Sequence, residues 1–209
     1  MYYDPRTDPR PPPLRHNPLN ALVGPRPIGW IATLDHHGTP NLAPFSYFNA
    51  FSADPPIVGF APNARGVHGV HGAPKDTLAN LRRLPEFTAS IVSMELAAAM
   101  NDTSRDLPHG VSEFDHANVN PQASIAVRPP RVREARAALE CQVFDIIALP
   151  SAADQRGSHL VLATVIGIHI DDTLIQDGRI DALALAQVGR LGYFDYVAVR
   201  ETFEMLRPE

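Results

Sequence analysis

Cysteine is nearly absent: Cys141 stands alone in the chain, which excludes an internal disulfide and any cysteine-built zinc cage. Basic charge is in short supply too, with 18 Lys and Arg against 23 Asp and Glu for a formal net charge of −5. A nucleic-acid binder carries a basic stripe to neutralise phosphates; none occurs, so nucleic acid is not an expected partner. Long hydrophobic runs are missing as well. The stretch Leu160 to Ile170 is broken by Thr164, Gly167 and His169 and is too short to cross a bilayer, so no membrane span is expected. The N-terminus lacks the basic region and apolar core of a secretory signal, which makes the cytoplasm the expected location. Two nucleotide signatures are also lacking: no G-x-G-x-x-G opens a helix after a strand, and no G-x-x-x-x-G-K-[ST] occurs, which argues against a Rossmann or P-loop site.

What is present suits one mainly β domain. With 209 residues, 44% of them hydrophobic, the chain can bury a single core. Residues 1–18 hold prolines at 5, 9, 11, 12, 13 and 18 and read as an extended arm, either disordered or wrapped on a partner subunit. Residues 19–209 read as the domain. Strands are predicted at Pro27 to Leu34, Ile57 to Phe60, Phe87 to Val92, Leu139 to Leu149, Leu160 to Ile170 and Tyr193 to Val199, from their β-branched and aromatic content. The Leu139 and Leu160 runs, joined by the polar linker Ser151 to Ser158, are expected to pair antiparallel. A helix capped by Asp76 is predicted from Leu78 and Leu81 on one face, ended by Pro85. Short helices are expected at Met94 to Met100 and after the Asp177-Gly178 turn. Many strands with only short helices between them indicate an antiparallel barrel or sandwich.

Two segments carry candidate chemistry. In Asn41-Leu42-Ala43-Pro44-Phe45-Ser46-Tyr47-Phe48-Asn49-Ala50, small polar groups alternate with aromatics. That mixture suits a flavin ring, which needs apolar cover and polar partners for its carbonyl edge; it equally suits a β-edge with its aromatics in the core. Lys75-Asp76-Thr77 opens a helix, where free amides, a hydroxyl and a lysine charge could seat a phosphate; a plain capped surface helix reads the same way.

Taken together, Arg26-Pro27-Ile28, Trp30 with Thr33, NLAPFSYFNA, Ser52-x-Asp54-Pro55-Pro56, Lys75-Asp76-Thr77, Gly110-Val111-Ser112-Glu113-Phe114 and Ala138-Leu139-Glu140-Cys141 resemble the flavin reductase-like family of FMN-binding split-barrel proteins over residues 17–206. The resemblance implies an antiparallel Greek-key split β-barrel with a few short helices. It also implies a homodimer with FMN near the interface, NADH or NADPH as transient electron donor, and an oxygenase or other redox partner. Carried over, Ser46, Tyr47, Phe48 and Asn49 line the flavin ring with Thr33 beside them, Lys75 and Thr77 hold the phosphate, and Arg26 contributes. The implied activity is hydride transfer from nicotinamide to FMN; the alternative is a non-enzymatic FMN-binding electron carrier or redox-sensing module on the same fold. Stacked rings exchange hydride directly, so no catalytic acid or base is assigned.

Three other features carry less. His36-His37 and His68-x-x-His71 lack a third ligand for a metal. Cys141 falls in a predicted buried strand and reads as a small apolar residue. No G-x-S-x-G elbow surrounds any serine, which leaves no hydrolase nucleophile.

Overall fold

The computed structural model describes residues 1–62, 76–108, 110–150 and 158–208. Seven strands form one antiparallel sheet: β1 (Gly29–Leu34), β2 (Pro40–Phe45), β3 (Phe48–Ala53), β4 (Pro56–Phe60), β5 (Glu86–Ile91), β6 (Ala137–Ala148) and β7 (His159–Ile170). Their spatial order is β2-β1-β5-β6-β7-β4-β3. The two edge strands, β2 and β3, are therefore consecutive in the chain, joined only by Ser46 and Tyr47. A flat sheet would hold these edges six spacings apart, roughly 29 Å, whereas two linking residues reach about 10 Å. The sheet must curl until its edges meet, which makes a barrel that is split between β2 and β3.

The barrel interior follows from alternation along the strands. Ile31, Phe45, Phe48, Phe60, Phe87 and Val161 point inward with Leu78 and Leu81 of α1 (Asp76–Arg83). Phe60 sits at 5.0 Å from Phe45 and 5.2 Å from Phe87, centroid to centroid. Burying each such ring contributes about 1.5–3 kcal/mol. Gly29 is required by this packing: a Cβ there would stand 2.7 Å from Phe48 Cδ2.

A second apolar layer covers the outside of β1 and β2, where Trp30, Ala32 and Leu42 pack against Met100 of α2 (Ala97–Asp102) and Phe114 of α3 (Glu113–His116). Strand β1 is thus buried on both faces, so GWIATL carries a single polar side chain, Thr33, instead of alternating. A small sheet formed by Arg26–Pro27, Val188–Arg190 and Tyr196–Ala198 lies beside it.

The expected β6–β7 hairpin forms antiparallel. Asp177 and Gly178 both adopt positive φ (49° and 73°) between the paired residues Ile175–Gln176 and Arg179–Ile180, as a primed hairpin turn requires. Two expectations need correction. The helix expected at Asp76 begins at Asp76 itself instead of after it. The last strand covers Tyr196–Ala198, not Tyr193 to Val199, because Tyr193 takes a left-handed φ of 57° that no strand continues through. The Gly-rich stretch 63–74, with His68 and His71, lies outside the described residues, as does most of the 151–158 linker.

Candidate functional site

The start of α1 packs against β2 close to the split. Thr77 Oγ1 donates to Asn41 Oδ1 at 3.0 Å, and Asn41 Nδ2 donates to both carboxylate oxygens of Glu113 at 2.9 Å. Glu113 also accepts the Leu42 N–H at 2.9 Å. On the other side, Asn80 Nδ2 donates to Thr33 Oγ1 at 3.1 Å, and Thr33 Oγ1 reaches Asn41 Oδ1 at 3.4 Å. These five polar side chains tie β1, β2, α1 and α3 together. Buried polar groups need such partners, because an unmade bond costs about 1–3 kcal/mol. Burial pushes the Glu113 carboxyl above its ordinary range, with the charge of Asp76 adding; the bonds from Leu42 and Asn41 pull the other way.

A cavity opens over this network. Ala43, Pro44, Asp76, Thr77, Arg105 and Glu113 are among the residues that wall it, so the β2 segment and the helix start converge. Its walls carry three carboxylates, from Asp76, Asp106 and Glu113, against the single guanidinium of Arg105. Anion binding here therefore depends on a further cation, and Lys75 precedes Asp76 in the chain. Lys75 lies outside the described residues; it is the only lysine of the protein.

The predicted site residues divide into three groups. Thr33 and Thr77 are brought together, yet each is only 1% exposed. Their hydroxyls serve the Asn41 network, and Thr33 lies behind the residues that wall the cavity. Phe48 is a core residue: its ring fills the barrel against Gly29, because an inward position at the start of β3 must be apolar. Arg26 is also consumed by the fold. Its guanidinium donates to the carbonyls of Asn20, Val23 and Leu191 and lies 5.7 Å from the centre of the Tyr47 ring. That leaves Ser46, Tyr47 and Asn49 at the split with accessible surface. The Tyr47 hydroxyl donates to Asn20 Oδ1 at 2.7 Å, which ties the ring to the short helix Leu19–Leu22 that precedes the barrel. Ser46 is two positions beyond Pro44 on the same chain segment, so the split and the cavity share one strand edge.

Asn41 and Glu113 fall in the motifs quoted above, which give them no role, and Asn80 falls in none of them. The signal for Asn80 was its place between Leu78 and Leu81 on the apolar face of α1, where an amide demands a partner. A larger cavity, about 630 Å³, lies apart from this network between α2 and the C-terminal residues, with Met94, Phe194, Tyr196 and Arg200 on its rim.

Comparison with known proteins agrees with this architecture. The family described as flavin reductase like domain matches residues 24–190. An uncharacterised protein of Halalkalibacterium halodurans is 34% identical over 190 residues, covering 91% of this chain and 89% of the relative. Another, from Deinococcus radiodurans, is 35% identical over 201 residues, covering 92% and 84%. Among solved structures, nitrilotriacetate monooxygenase component B from Bacillus cereus superposes with a TM-score of 0.88 at 29% identity, covering 98% of both chains. The 2-nitrobenzoate 2-nitroreductase of Pseudomonas fluorescens gives 0.76 at 26% identity, covering 90% of this chain and 88% of its own. With a split barrel, edge strands joined by two residues, and a matched family span that runs through nearly all of it, this chain belongs to the flavin reductase-like domain family.

Proposed function

We propose that the protein is a cytoplasmic, homodimeric FMN reductase that takes hydride from NADH or NADPH and passes the electrons to a partner such as an oxygenase. The observation that carries the reading is the convergence of β2 and the Asp76–Thr77 helix start on one cavity beside the barrel split. The cavity, about 70 Å³, has room for one end of a flavin nucleotide; along the strand edge beside it Ala43 and Pro44 offer apolar cover, and Ser46, Tyr47 and Asn49 offer polar groups for a ring edge. Because β2 and β3 are sheet edges, they also carry backbone groups that no neighbouring strand takes; on β2 these are carbonyls, since Pro40 and Pro44 have no N–H and the Leu42 N–H goes to Glu113. From Asn41 to Ser46 the strand runs about 17 Å, a span suited to an elongated ligand with a phosphate at one end.

Bound FMN supplies a two-electron acceptor. The chain positions that group, shields it from water and leaves one face open to a nicotinamide. Lys75 carries the charge that offsets the acidic cavity, Thr77 and Thr33 hold Asn41 in place, and Tyr47 closes the split. The homodimer reading draws on the β6–β7 hairpin, where Phe144, Ile147, Ile166, Ile168 and Ile170 are all 40% exposed or more, apolar surface of the kind a second copy can cover. The oxygenase partner is suggested by the component B protein, which is named as part of a monooxygenase.

Absorbance spectroscopy tests the reading. The purified protein with FMN is expected to show a bound-flavin band near roughly 450 nm that NADH or NADPH bleaches under anaerobic conditions. Bound FMN that neither nicotinamide reduces points to a carrier or redox-sensing module. Protein that stays colourless after FMN addition removes the flavin reading altogether.

A further inference from the structure

A separate cavity of about 250 Å³ opens where the chain enters β6 and leaves β7, walled by Arg131, Arg133, Glu134, Arg136, His169 and Asp171 among others. It shares no residue with the cavity over Asn41. Three guanidiniums face two carboxylates here, and both carboxylates are already engaged. Glu134 accepts from the backbone and side-chain N–H groups of Asn120. Asp171 accepts from Thr173 and Arg136. Of the cations, Arg136 is fully used, by Asp171, the Ala184 carbonyl at 2.7 Å and Thr173 Oγ1 at 2.8 Å. Arg133 gives only its Nε, to Gln122 Oε1 at 3.1 Å, which leaves its two terminal nitrogens to the cavity. Among the described residues Arg131 makes no side-chain hydrogen bond, and its Nε is buried without a partner.

A guanidinium with a buried donor left unpaired is an expense that folding normally avoids. Here it stands beside a second, half-used guanidinium in a space that holds a small ion. We propose that Arg131 and Arg133 form a binding site for a phosphate-like oxyanion, free or as the terminal group of a larger ligand. Paired guanidiniums present forked donors that match two oxygens of such a group. The site is independent of the flavin cavity.

Thermal unfolding of the FMN-saturated protein tests it, with inorganic phosphate, sulfate and acetate titrated at constant ionic strength against sodium chloride. Phosphate is expected to raise Tm saturably by about 2–4 °C, sulfate to act similarly, and acetate to have little effect. Arg131→Gln is expected to abolish the response while FMN absorbance and affinity stay unchanged. Its side chain makes no hydrogen bond among the described residues, so the variant is expected to fold; Arg133→Gln, at an exposed position, is a second variant expected to halve the response or more. A phosphate response that survives Arg131→Gln overturns the site, as does an equal response to acetate. So does no response at all together with weakened self-association of Arg131→Gln in sedimentation, since a carboxylate of a second copy would then be the partner.

Discussion

Glu140 and Glu113 are both buried carboxylates, 1% and 8% exposed, yet the protein holds them on opposite sides of their ordinary range. Burial raises both. At Glu140 it is outweighed by hydrogen bonds from His169 and from the backbone amides of Ile125 and Ala126, so the carboxyl falls below the usual value. Val127 N–H adds a further bond. At Glu113 the donors are one amide nitrogen of Asn41 and the Leu42 N–H, and the nearest charge is Asp76, so burial prevails and the carboxyl stays high. The first arrangement pins the 125–127 loop to the barrel. The second leaves an acid imperfectly compensated beside a cavity, a property that functional sites share with structural polar networks. What differs is the number and charge of the donors, not the depth.

The contrast can be broken most directly at Glu140. Glu140→Ala strands three amides and a histidine, and is expected to lower the free energy of unfolding by about 3–5 kcal/mol, read by urea denaturation at pH 7. A loss below about 1 kcal/mol would show that the loop does not depend on the carboxylate.

Next in size is the cation that the Glu113 side needs. Lys75→Ala is expected to weaken FMN binding by about 1.5–3 kcal/mol, which is tenfold to more than a hundredfold. Quenching of the single tryptophan, Trp30, would report it; its indole donates to Thr103 of the cavity wall at 2.9 Å. Thr77→Val, which removes only a buried hydroxyl, is expected to cost less. As an independent check, FMN should protect Lys75 from acetylation, followed by mass spectrometry. Unchanged affinity in Lys75→Ala places the phosphate elsewhere.

Glu113→Gln sharpens the comparison with a smaller effect. Removing one negative charge from the cavity is expected to tighten FMN binding about three- to tenfold while changing stability by less than about 1 kcal/mol. Weaker FMN binding in that variant would assign Glu113 a direct attractive role instead.

The smallest effect is a pH dependence of opposite sign at the two sites. Glu140 has a lowered folded value, so its stabilisation is present above the ordinary glutamate value of about 4.3 and is lost as pH falls through the folded one. Glu113 has a raised folded value, so its contribution is present below about 4.3 and is lost as pH rises through the folded value. The stability difference between wild type and Glu140→Gln should therefore shrink on acidification, whereas that for Glu113→Gln should grow from acid toward neutral pH in favour of the variant. Parallel slopes in chemical denaturation would remove the distinction.

The barrel was legible because its strands carry their own signal. Leu139 to Leu149 and Leu160 to Ile170 are long and β-branched, and they pair as read, with ends shifted by one or two residues. The NLAPFSYFNA segment was ambiguous for a physical reason: Phe45 and Phe48 face the core while Tyr47 and Asn49 face outward, so one stretch holds both a structural and an accessible face. Arg26 gave no hint of its fate, since nothing local says that three carbonyls, one of them 165 positions away, will take its charge.

By itself the sequence determined the class of fold and the strands that build it, because alternation, turn chemistry and helix starts are local properties of the chain. Only the tertiary structure decided that the two sheet edges meet at Ser46 and Tyr47, that Phe48, Thr33 and Arg26 serve the fold, and that Asn41 links Thr77 to Glu113. Those outcomes depend on which distant groups come to share a buried space, where each polar atom must find a partner or bear the cost of having none.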